Sequence, residues 1–147
     1  MTNAANDQPV PVGVKVANGI LLLWNLFGLT IFLLTVTVFR SREALAEAGL
    51  NEQQIEITLG TPTWVNIAFG TAVITGSLGC LCLVLKKKAA IVLLVVSLLA
   101  VLTQNTYMYF LSDTIAQMGV GASHFVIAGA VFLVPYAVWC ARRRWLI

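Results

Sequence analysis

Charge is scarce in this sequence, and scarcest where it would matter most. Only 10% of residues are Asp, Glu, Lys or Arg, where a soluble domain carries about 25%, while 59% are hydrophobic. The few cations stand at the ends of apolar runs and not along a polar face. That excludes a nucleic-acid surface and leaves two roles for them, topology signals and contacts for anionic lipid head groups. No Asp, Glu, Lys, Arg or His lies in the middle of any of the runs. Proton- and cation-coupled carriers, voltage sensors and many membrane enzymes depend on such a group, so none of these classes is expected.

Chemistry-bearing residues are also few. The three cysteines, Cys80, Cys82 and Cys140, all fall within apolar runs, too few and too far from the one histidine for a disulfide framework or a metal site. They are read as packing residues, and neither a metal nor a cofactor is expected. Asp113 and His124 flank the last turn without a nucleophile at a defined spacing, which suits a loop-closing pair better than catalysis. With no phosphate-binding glycine loop, zinc signature or serine triad, the chain is not expected to be an enzyme.

Long apolar runs are what the sequence does have. Residues 1–15 read as a polar leader with Pro9 and Pro11, and residues 16–39 as a first transmembrane helix too long for a cleaved signal segment. Residues 40–62 form an external loop. Ser41 caps a short helix stopped by Gly49, and Asn51 with Gln54 makes a capping box for a second that stops at Gly60. Thr61-Pro62 reads as a capping hydroxyl and a proline at the first helical position, starting a second span over residues 63–85. Lys86, Lys87 and Lys88 make a tight turn into a third span, 89–110; an external turn, 111–123, leads to a fourth, 124–141, with Pro135 as a kink. Arg142, Arg143 and Arg144 open the tail, 142–147. With both termini cytoplasmic, Lys15 and those six cations lie inside and only Arg40 and Arg42 outside, as the positive-inside rule requires.

The polar groups within the spans are amides and hydroxyls. Asn66 lies about 5 Å below the outer boundary, and Gln104 and Asn105 about 8–9 Å below it, near Tyr107. A shallow outward cavity lined by Asn66, Gln104, Asn105 and Tyr107 would suit a neutral polar solute such as a sugar; hydrogen bonding among these amides, as glue between helices, is the competing reading. Asn25, at the depth of Thr75 and Ser97, reads as an interhelical bond. Ala68, Ala72, Gly76 and Cys80 recur every four residues, with Gly79 beside them and Gly28 in the first run, which allows close backbone approach.

Several stretches carry a resemblance: Leu23-Trp24-Asn25-Leu26-Phe27-Gly28, Glu43-Ala44-Leu45, Thr61-Pro62-Thr63-Trp64-Val65, Gly76-Ser77-Leu78-Gly79-Cys80-Leu81 and Ser97-Leu98-Leu99-Ala100-Val101. In this order they resemble a largely uncharacterised family of small four-helix bacterial inner-membrane proteins, some of whose members are labelled sugar transporters. The expectation is therefore an all-α integral membrane protein, a four-helix up-and-down bundle in a bacterial cytoplasmic membrane. Its expected function is uncoupled passage or binding of a small neutral solute by an oligomer. The alternative is an accessory protein that binds another membrane protein and transports nothing.

Overall fold

A computed structural model describes residues 9–112 and 121–146, with Gly121 and Ala122 by backbone alone. The described residues form six helices: α1 (Val12–Thr37), α2 (Arg42–Glu47), α3 (Glu52–Leu59), α4 (Thr63–Val84), α5 (Ala89–Phe110) and α6 (Gly121–Arg142). Four of them, α1, α4, α5 and α6, are long and apolar enough to cross a membrane. Large apolar side chains such as Ile20, Phe27, Ile67, Val92 and Leu99 stand exposed on the outer faces of these helices, a surface suited to lipid.

The helix boundaries differ most from the sequence reading at two starts. The first helix begins at Val12, so Lys15 lies within its first turn; the Pro11 carbonyl accepts from the backbone N–H of Val14 and Lys15 and starts the helix early. The last helix begins at Gly121, three residues before the expected start. Pro135 lies inside α6 without ending it.

The loop between α1 and α4 is built by its caps. Ser41 Oγ accepts from the Ala44 N–H at 3.2 Å, and Asn51 and Gln54 exchange side-chain-to-backbone bonds at 2.9 and 3.1 Å. Each such cap is worth about 1 kcal/mol. At the start of α2, backbone hydrogen bonding and then the Ser41 hydroxyl hold the Glu43 carboxyl below its ordinary range. Leu45 and Ile55, one from each short helix, are fully buried, and Arg42 ties the pair together through Glu52 and, at 4.0 Å, Glu56. The expected Thr61 cap is not formed. Thr61 Oγ1 donates to the Ile57 carbonyl of α3 at 2.9 Å, and Pro62 takes the N-cap position of α4 with no side-chain bond. The hydroxyl is captured by the helix behind it before it can serve the one ahead.

Three helices end in the same way. After α2, α4 and α6 the chain folds back so that two backbone N–H groups satisfy the last carbonyls: Leu50 to Leu45 and Gly49 to Ala46, Lys87 to Cys82 and Lys86 to Leu83, Trp145 to Cys140 and Arg144 to Ala141. This is the Schellman arrangement, whose pivotal residue is left-handed and favours glycine. Gly49 obeys that preference with φ 85°, whereas Lys86 and Arg144 hold φ 58° with full side chains.

α4 and α5 form the central antiparallel pair; α1 packs against α4 and α6 against α5. Gly79 lets α5 approach, since a Cβ there would lie 2.8 Å from Leu94. At Gly76 a Cβ would land on Asn25 Oδ1 of α1 and 3.0 Å from Ser97 Oγ of α5. The small-residue ridge is thus used within the chain. The closed core lies at the end carrying the lysine turn and includes Cys80, Leu83, Leu94, Leu133, Ala137 and Cys140. There a clasp joins the outer helices: Tyr136 Oη donates to Asn18 Oδ1 at 2.8 Å while Asn18 Nδ2 donates to the Leu83 carbonyl at 3.3 Å.

Candidate functional site

Toward the opposite end, α1 and α6 do not pack along their lengths, and a cavity of about 460 Å³ opens between them. Its floor is polar and closed. Asn25 Nδ2 donates to the Leu21 carbonyl at 3.0 Å and to Cys80 Sγ at 3.3 Å. Beside it, Ser97 Oγ donates to the Ala72 carbonyl at 2.7 Å, a bond from α5 to α4. Asn25, Ala72 and Ser97 all line the cavity, as does Leu133 of the closed core.

One wall is the α5 stripe Ser97, Val101, Gln104, Asn105 and Met108, whose spacing of three and four keeps it on one helix face. Asn105 is the outstanding member. It is 5% exposed, its Nδ2 donates back to the Val101 carbonyl at 2.8 Å, and its Oδ1 has no hydrogen-bond partner although it is buried. A buried acceptor left unpaired costs about 1–3 kcal/mol, so the oxygen is a standing demand for a donor. The mouth is apolar: Trp24, Phe27 and Ile31 of α1 face Phe125 and Val126 of α6, and all five are exposed. Gly129, also in the lining, has nothing within 4 Å of where its Cβ would stand. No described lining residue is ionisable.

Of the four residues expected to contact a solute, the cavity gathers Gln104 and Asn105. Tyr107 is not among the lining; two residues beyond Asn105 it is turned about 200° round the helix, and its ring packs edge-on against Trp64 at 5.6 Å. Asn66 shares the α4 stripe of Phe69 and Val73 but stands one turn nearer the loop and does not line the cavity. The amides do not form one shared hydrogen-bonded cluster, since Asn105 turns to its own helix. Depth alone suggested the original set of four; angle round the helix would have replaced Tyr107 by Ser97 and Val101. The aromatic mouth was not foreseen, because nothing in the spacing of Trp24 and Phe125 sets them apart from other apolar residues of a span.

Asp113 lies outside the described residues, so its expected pairing with His124 is not described. His124 Nδ1 lies 3.4 Å from Tyr109 Oη, with the rings edge to face at 5.9 Å. Cys80 and Cys140 are buried free thiols, and among the described residues no group of three or more His, Cys, Asp or Glu is placed to hold a metal.

The fold and cavity define an all-helical protein with four candidate membrane spans and an uncharged cleft between the first and last of them. No protein-family model matches the chain, and none of the curated proteins or solved structures compared with it does so.

Proposed function

We propose that the protein crosses a bacterial cytoplasmic membrane four times, with the lysine turn inside, and that the α1–α6 cavity binds a small neutral molecule without coupling to an ion. The observation that carries this reading is the buried, unpartnered Asn105 oxygen at the wall of an uncharged cavity of about 460 Å³. A cavity of that size suits a small ligand, and its lack of ionisable groups suits a neutral one. Passage across the membrane would call for an oligomer, because the closed core around Leu83 and Leu94 leaves no path through one copy.

Thermal stability of the detergent-solubilised protein against a panel of sugars, alcohols and other neutral solutes tests the reading. A ligand at about 100 times its dissociation constant stabilises by roughly 2.7 kcal/mol. The expected result is a shift with one chemical class, lost in Asn105→Leu. A flat panel would favour the second reading, an accessory protein that binds another membrane protein. That alternative rests on the α2–α3 pair, where Leu45 and Ile55 are buried while Glu43, Glu47, Glu52 and Glu56 are exposed.

A further inference from the structure

We propose that the cavity takes its ligand from the bilayer and not from water, and that the ligand is a neutral amphiphile: an apolar body bearing a hydroxyl that donates to Asn105 Oδ1 once a turn of that side chain uncovers the oxygen. This rests on the reading that the cavity is a binding site, and it narrows what is bound. The polar groups of the lining suit one head group better than hydroxyls spread over the whole ligand. Asn25 and Ser97 already spend their donors on Cys80 and on the Leu21 and Ala72 carbonyls, and Asn105 spends its own on Val101 with its buried oxygen left unpaired; Gln104 and Ser123 are the other polar residues of the lining, and the rest of it is aliphatic, aromatic or glycine. A sugar carries a hydroxyl on nearly every carbon, and most would face Phe27, Val126 and Leu133 unpaired, each at a desolvation cost. An alcohol on an apolar body leaves none unpaired. The route follows from the same residues, because the mouth between α1 and α6 is framed by exposed Trp24, Phe27, Ile31, Phe125 and Val126, side chains that belong against acyl chains.

The test uses the full-length protein in phosphatidylcholine nanodiscs, with a dibrominated long-chain alcohol and its methyl ether as probes. Bromine quenches tryptophan at contact, and the difference between the wild type and Trp24→Phe isolates the tryptophan that lines the cavity. Each probe's content in the bilayer is measured and the midpoints are compared on that scale, so that collisional quenching from lipid is common to both. The expected result is saturable quenching by the alcohol with a midpoint about tenfold below that of the ether, an advantage lost in Asn105→Leu. Gly129→Leu fills open space and is expected to abolish saturation by either probe while leaving the fold intact, which guards against a variant that fails for want of folding. Equal midpoints for alcohol and ether in the wild type would overturn the proposal. Stabilisation by sugars, with only linear quenching by the alcohol, would overturn it while leaving the cavity a binding site. Binding of neither class would remove both.

Discussion

At the scale of single residues, stability and binding are expected to separate at Asn105. Its oxygen is buried without a partner, so replacing the amide by an apolar side chain of similar size removes a penalty and creates none. Asn105→Leu should hold or raise the stability of the ligand-free protein, measured by reversible unfolding in mixed detergent, while binding is lost. Gly76 is expected to behave in the opposite way. A Cβ there meets Asn25 and Ser97, both engaged in hydrogen bonds, so Gly76→Ala should destabilise by about 1–3 kcal/mol. The same change at Gly129, which faces open space, should be neutral or slightly favourable. Two glycines in apolar helices thus have opposite roles that composition does not distinguish.

Among the elements, the helix ends were the most legible part of the chain. Ser41, Asn51 with Gln54, Gly49 and Gly60 act locally, through partners three or four residues away, and the structure forms their caps as the spacing requires. Thr61 fails as a cap for a local reason too, because its hydroxyl has a carbonyl of α3 within reach. The cavity was legible only in part. Depth along a helix follows from residue number, which placed Gln104 and Asn105 at the right level; the parting of α1 from α6 depends on tertiary packing that no short window contains. The ends of α4 and α6 make a further prediction. Lys86 and Arg144 occupy left-handed turns with φ 58°, a conformation that costs an L-residue about 1–2 kcal/mol and glycine almost nothing. Lys86→Gly and Arg144→Gly should each stabilise the solubilised protein by about 1 kcal/mol, and Lys87→Gly, one residue along, should not.

For the whole molecule, the same cations explain why that local strain persists. Lys15, the three lysines and the three arginines gather at one end of the bundle, the end that the proposed topology places on the cytoplasmic side. Replacing Lys86, Lys87 and Lys88 together with Arg142, Arg143 and Arg144 by glutamine should leave the helices intact but yield a mixed population of orientations. Reporter domains fused to the C-terminus, active on one side of the membrane only, would read the mixture. A population with one orientation would mean that the loop carrying α2 and α3 sets the topology by itself.

The clasp between Asn18 and Tyr136 joins α1 and α6 at one end while the cavity parts them at the other. In mechanical terms this is a pivot with a long arm. Ile31, at the mouth, lies 13 residues along α1 from Asn18, roughly 20 Å, so a rotation of about 10° at the clasp moves the mouth by roughly 3 Å, close to the width of a methylene chain. Tyr136→Phe removes the hydrogen bond to Asn18 at a residue that is not itself part of the cavity lining. It is nonetheless expected to change which ligand widths are accepted. On that expectation the gauge of the opening is set about 20 Å away, at the far end of the helix.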